Sequence, residues 1–127
     1  MKPRREKARA FKFKKFSKDA AKANITDAEL AQAIQEVMQG QAIDLGGGIY
    51  KKRLNKNDHR SIVLAKSDKV WVFAHLYAKK NKDNIIEAEL KAFRKAAAAY
   101  GSLSPLQLQT LIDEKELQEI YYGNEEI

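Results

Sequence analysis

The chain has 127 residues, and its 44% apolar content suffices for one domain with a real core. Its net charge of +7 points to a polyanionic partner, either nucleic acid or an acidic protein. The lack of cysteine excludes disulfides and thiolate metal sites and suits a reducing cytosol, two histidines are too few for structural zinc, and no apolar run approaches the ~18 residues of a membrane span.

Residues 1–9 are too polar to pack and read as a flexible basic arm; the N-terminus has no apolar stretch of the signal-peptide kind. A single domain is expected over 10–127. Ala10-Phe11-Lys12-Phe13 alternates like a half-buried strand, and Phe16, Ala20 and Ala21 recur at helical spacing, which predicts a short helix over 14–22. Thr26 and Glu29 have capping-box spacing, with Ile25 and Leu30 as the hydrophobic staple. Leu30, Ala33, Ile34, Val37 and Met38 form one apolar stripe and Gly40 a natural stop, so this helix is expected over 27–39.

Three strands follow, near 48–55, 60–66 and 69–77, joined by the polar turns Asn55-Lys56-Asn57-Asp58 and Ser67-Asp68. Such short connections predict an antiparallel meander. Gly46-Gly47-Gly48 lacks phosphate-loop spacing and precedes a strand, so it reads as a turn that lets the chain enter a sheet. A helix is expected from Asn84, with Leu90, Phe93, Ala97 and Tyr100 on its inner face and Gly101 at its end. Another starts at Ser104-Pro105, with serine as cap. The acidic tail 113–127 keeps Leu117, Ile120 and Tyr121 and is expected to be helical. The fold class is therefore α+β, a small antiparallel sheet of about four strands flanked by helices.

Charge is uneven along the chain. Residues 1–22 carry +8, residues 50–82 carry another +8, and 101–127 carry −5. The segment 50–82 also holds both histidines, the only tryptophan and two of five tyrosines. On the strand 48–55, Lys51 and Arg53 share the face of Ile49, and Lys52 shares that of Tyr50 and Leu54. Arg60 and Lys79 join them if the strands are adjacent, and Lys80 and Lys82 extend the basic run. His59 stands at a turn-to-strand junction beside Arg60; His75 is expected on one face with Trp71, Phe73 and Tyr77. Solvated strand edges and a packed histidine are the plain alternatives. No Ser/His/Asp set or carboxylate pair stands out, which disfavours glycosidase-like and two-metal chemistry.

Leu45-Gly46-Gly47-Gly48 followed by Lys51-Lys52-Arg53, then Arg60 opening a strand, then Tyr77-Ala78-Lys79 and Asp83-Asn84-Ile85 before a helix, resembles the RelE/ParE toxin superfamily, and within it the RelE-type branch with a Leu-Gly-Gly-Gly run. One departure is the short turn Asn57-Asp58-His59-Arg60, where this branch often has a longer loop ending in Gly-Tyr-Arg. The resemblance implies a cytoplasmic toxin of a type II toxin–antitoxin system, held harmless by an acidic antitoxin. It further implies an mRNA endonuclease, free or ribosome-dependent, that needs no metal or other cofactor. The alternatives are a ParE-like inhibitor of DNA gyrase, and a degenerate toxin that only binds nucleic acid or antitoxin. By position, Lys51, Lys52, Arg53, Arg60 and Lys79 are the residues carried over. Arg53 and Arg60 would clamp a phosphate. Lys51, Lys52, Lys80 and Lys82 would hold RNA, with Lys79 adding charge at the reacting phosphate. His59 is the first candidate for proton transfer and His75 or Tyr77 the second.

Overall fold

A computed structural model describes residues 8–66, 69–81 and 87–120. The expected arm (apart from its last two residues), the Ser67-Asp68 turn, Lys82, the helix start at Asn84 and the segment 121–127 lie outside them. Strand β1 (Arg9–Phe13) leads into helix α1 (Lys14–Lys22), which buries Phe16 and Ala20, and Phe16 stacks on Phe73 with ring centroids 5.0 Å apart. Asn24, at φ 61°, turns the chain toward helix α2 (Asp27–Met38). Asparagine is one of the few residues that tolerate this left-handed conformation. Thr26 Oγ1 accepts from the Glu29 N–H at 3.2 Å, as its spacing predicts. The Glu29 carboxylate, however, does not close the box. It reaches away to accept from the Asn55 N–H. Leu30, Ala33, Ile34 and Val37 are buried and Met38 is half out. Gly40, at φ 88°, ends the helix.

The sheet differs from the expected one in size and direction. Strands β2 (Ile43–Gly46), β3 (Ile49–Leu54), β4 (His59–Lys66) and β5 (Val70–Ala78) form the antiparallel meander. A 3₁₀ turn follows at Lys79–Asn81, then helices α3 (Glu87–Gly101) and α4 (Pro105–Asp113), and a last strand β6 (Leu117–Ile120). The order is β2-β3-β4-β5-β1-β6, with β1 parallel to β5 and antiparallel to β6. The sheet is thus mixed and six-stranded, not antiparallel and four-stranded.

The tail expected to be helical reverses at Lys115 (φ 65°) and returns as β6. Leu117 and Ile120, each 1% exposed, fall on opposite faces of the sheet, so one short strand feeds both cores. Arg9 fixes it with two hydrogen bonds to Glu119, both 2.9 Å. With partners on both sides, β1 is a central strand; Ala10 and Phe11 are each fully buried, where one face was expected to be wet.

The fold is three layers. One face of the sheet packs α1 and α2 around Ala10, Phe16, Leu30, Ile34, Leu54, Val63, Trp71 and Phe73. The other packs α3 and α4 around Phe11, Ile49, Ile62, Leu64, Val72, Ala97 and Leu108. Gly47 and Gly48, at φ 67° and 81°, make the two-residue turn between β2 and β3. Arg94 of α3 lies over that turn. It donates to the Leu45 carbonyl at 2.9 Å, and a Cβ at Gly47 would sit 3.0 Å from its Cγ. The glycines therefore make room for a helix side chain, not for a phosphate.

Candidate functional site

Strand β5 does not alternate regularly. Ile62 pairs with His75 and Val63 with Phe73, leaving Ala74 as a bulge. Trp71 and Phe73 point into the α1–α2 core. The extra residue swaps the faces beyond it. His75 and Tyr77 therefore come out on the α3 side, where the His75 ring lies 5.7 Å from those of both Tyr77 and Phe93. The expectation that His75 shares a face with Trp71 and Phe73 is corrected by this one residue; Tyr77 does share its face.

The pairing register then assembles a row across three strands. Arg53 of β3 lies opposite Arg60 of β4, and Arg60 lies opposite Tyr77 of β5. Lys51 pairs with Ile62, next to His75, on the same face. Two guanidinium groups directly opposite each other repel. Among the described residues no carboxylate forms a salt bridge with either. Arg60 is only 8% exposed and is held by donation from Nη1 to the carbonyls of Asn57 (3.0 Å) and His59 (3.2 Å). A held guanidinium with a second, exposed one opposite it and no carboxylate paired to either is an arrangement ready to receive an anion.

The β3–β4 turn that supplies those carbonyls is unusual. Asn55, Lys56 and Asn57 have φ of 54°, 53° and 75°, three left-handed residues in succession without a glycine. Such backbone is costly, more so at lysine than at asparagine. The Glu29 carboxylate on the Asn55 N–H and the Lys79 N–H on the Asp58 carbonyl (2.8 Å) brace it from two sides.

Because β2 begins at Ile43, opposite Lys51, the outer edge of β3 is uncovered beyond that point. A cleft of about 430 Å³ opens there, lined by Gln41, Ala42, Ile43, Lys51, Lys52, Arg53 and Arg60. Lys52 enters it from the α2 side and is already engaged, with Nζ 2.7 Å from Glu36 and donating to the Gln41 carbonyl at 3.0 Å. The hydrogen bond from Lys52, reinforced by Gln32, holds the Glu36 carboxyl below its usual range.

Tyr77 has its phenol pushed above its ordinary value by burial; Arg60 opposes the shift and Glu89 of α3 adds to it. Its proton stays on at neutral pH. Glu89 gave no signal in the sequence, since only the folded sheet brings the first turn of α3 toward Tyr77.

His59 is not part of this row. It pairs with Leu54, whose side chain is in the α1–α2 core, and so lies on the face away from Arg53 and Arg60. Its Nδ1 is 3.2 Å from Asn55 Nδ2, and it lines a second cleft of about 480 Å³ with Asp58, Ala78, Lys79 and Lys80. Apart from Lys52, on the α1–α2 side, and Lys82, outside the described residues, the sequence-predicted residues fall into two groups. Arg53, Arg60, His75, Tyr77 and Lys51 share one face, while His59, Lys79 and Lys80 cluster at the strand ends.

Residues 8–120 match a family described as the RelE toxin of the RelE/RelB toxin–antitoxin system. No curated protein and no solved structure matches the chain.

Proposed function

The chain belongs to the RelE toxin family of toxin–antitoxin systems, and from that premise we propose that it cleaves RNA, free or on the ribosome, without a metal, at the row Arg53–Arg60–Tyr77. The family makes it the toxin of a type II pair with a protein antitoxin as partner. The observation that carries the endonuclease reading is the opposed, unneutralised pair Arg53 and Arg60 beside a protonated phenol and an imidazole.

In the reaction, a ribose 2′-oxygen attacks its own 3′-phosphorus, and its proton passes to a base. The bond from phosphorus to the 5′-oxygen breaks, and that oxygen takes a proton from an acid. The products are a 2′,3′-cyclic phosphate and a 5′-hydroxyl. Arg53 and Arg60 clamp the non-bridging oxygens, where charge accumulates, and Lys51 adds a third cation. Tyr77, directly opposite Arg60 on the same face, acts as the acid. His75, on the same face, acts as the base. His59, Lys79 and Lys80 hold the RNA as it leaves over the strand ends, a role that suits their separate cleft.

The test is brief induction followed by mapping of RNA 5′ ends, with plasmid supercoiling followed in parallel and EDTA included in the purified reaction. New 5′-hydroxyl ends that persist in EDTA are expected. Loss of supercoiling without RNA cleavage would establish the gyrase-directed activity instead. Within the site, Tyr77→Phe and His75→Ala are expected to cost about 10²-fold or more and His59→Ala far less. A larger loss at His59 would return proton transfer to that residue.

A further inference from the structure

The cleft draws on Lys51, Lys52, Arg53 and Arg60 of the basic segment 50–82 and on none of the basic residues of 1–22. Part of that second charge is displayed in order. Lys14, Lys18 and Lys22 of α1 are all exposed and recur every fourth residue. At 100° per residue they form one stripe, centred opposite the buried pair Phe16 and Ala20. The rise of a helix spaces them by ~6 Å along its axis.

These three ammonium groups make no ion pair or hydrogen bond with any described residue. Other lysines of the fold are engaged: Lys12 with Asp27 at 2.6 Å, Lys15 with Asp19 at 2.8 Å and Lys52 with Glu36 at 2.7 Å. Asp19 is the only acid of α1; it stands three residues before Lys22, but its carboxylate is held by Lys15, so the stripe keeps a net positive charge. Like charges four apart cost an isolated helix roughly 0.2–0.5 kcal/mol per pair, a cost that the burial of Phe16 and Ala20 outweighs.

We propose that this stripe is a docking track for the phosphate backbone of structured RNA, separate from the cleft. The inference rests on the endonuclease reading and extends it from where RNA is cut to how it is held. Three point charges at regular ~6 Å intervals suit a ladder of phosphates, and lysine grips phosphate without reading bases. Two other partners fit less well. A protein partner calls for a buried apolar or aromatic anchor, and a membrane surface calls for an apolar wedge. The large apolar side chains exposed among the described residues are Met38, Ile43 and Leu106, none of them on α1. The stripe also lies on the α1–α2 side of the sheet, whereas Arg53 and Arg60 face the α3 side. Docking can therefore add affinity without entering the chemistry.

The test compares the parent with K14Q/K18Q/K22Q, using a fully paired 16-base-pair RNA duplex as probe and fluorescence polarisation from 50 to 300 mM KCl. A control, K91Q/K95Q/K115Q, removes the same net charge from exposed positions elsewhere. Each lost phosphate contact should lower the slope of log K against log[salt] by ~0.9, so the stripe variant should lose about 2–3 and bind at least about tenfold more weakly at 100 mM. The control should stay near the parent. Cleavage of a short single-stranded RNA should be unchanged in the stripe variant. A slope equal to the parent's, or an equal fall in the control, overturns the proposal. So does a loss confined to the complex with the antitoxin. If the parent cuts no RNA yet the stripe variant still loses slope, the endonuclease reading fails and the docking track stands.

Discussion

Replacing Arg60 by alanine separates the chemical role of the arginine pair from its structural one. The guanidinium is 8% exposed, stands opposite Arg53 and donates to two turn carbonyls at 3.0 and 3.2 Å. For the reaction, loss of one charge-stabilising donor costs about 10²–10³ in rate, or roughly 3–4 kcal/mol. For the fold, the two charged hydrogen bonds contribute about 1.5–3 kcal/mol each. Against them stand the desolvation of a nearly buried cation and its repulsion by Arg53. The net loss of stability should therefore be roughly 1–2 kcal/mol, a fall of about 3–10 °C in Tm for a domain of this size. Single-turnover cleavage of an end-labelled RNA measures the first effect and thermal melting the second. Arg60→Lys keeps a charge but not the planar fork, and should fall between parent and alanine variant. Arg60 also restrains the upward shift of Tyr77, so the alanine variant should hold its phenol proton still more firmly. Its rate loss should thus be the same at pH 6 and pH 8. Cleavage within about threefold of the parent, at equal concentration and with the fold intact, would refute the phosphate-clamp reasoning.

Three further outcomes are expected. Gly47→Ala should lose more stability than Gly40→Ala: both glycines have positive φ, a term of roughly 1–2 kcal/mol, but only at Gly47 does a Cβ meet Arg94, at 3.0 Å, and equal Tm shifts would deny Arg94 its seat on the turn. Deleting Ala74 removes the bulge and must turn either Phe73 out of its core or His75 and Tyr77 off the arginine face, so cleavage should vanish while far-UV circular dichroism persists; an active deletion variant would show that the bulge does not place the site. Stability should fall on both sides of neutrality. Because Glu36 titrates below its usual 4.5, the unfolded chain takes up that proton first and stability drops as pH falls below about 4.5; because Tyr77 and Tyr100 titrate above 10.0, the unfolded chain releases those protons first and stability drops as pH climbs past 10. Urea midpoints at pH 3.5, 7 and 10.5 check this, and Glu36→Gln should flatten the acid side.

Local signals were legible wherever a side-chain pattern met a cap or a turn. The Thr26 and Ser104 caps mark the starts of α2 and α4, and alternation with short polar turns marks β3, β4 and β5. What stayed hidden depends on partners far away in the chain. Ile43-Asp44-Leu45-Gly46 lies mostly exposed, so β2 has no apolar face to betray it. Leu117 and Ile120 are three apart, which reads as helical until a sheet with two covered faces takes one on each side. The parallel join of β1 to β5 leaves no mark in either strand. At the site, Arg53, Arg60, Lys51 and Tyr77 could be named from residue type and neighbourhood. The side taken by His75 could not, because it hangs on one inserted residue whose only trace is an alanine among apolar residues.

The topology of β1 sets a timetable for the nascent chain. Strand β1 is made before both of its partners and waits for them, since Arg9 pairs with Val70 and Ala10 with Ile120. Both contacts are distant in sequence, which slows folding and postpones closure of the core. The stretch from Ala78 to Ile120 alone takes roughly 2–8 s to synthesise at ~5–20 residues per second. Throughout that interval strands β3–β5 can already exist as a meander, while Phe11 has no lid and β1 has a bare edge. A freshly made molecule is therefore immature for seconds, and that delay is an opportunity for the antitoxin to arrive before the toxin is finished.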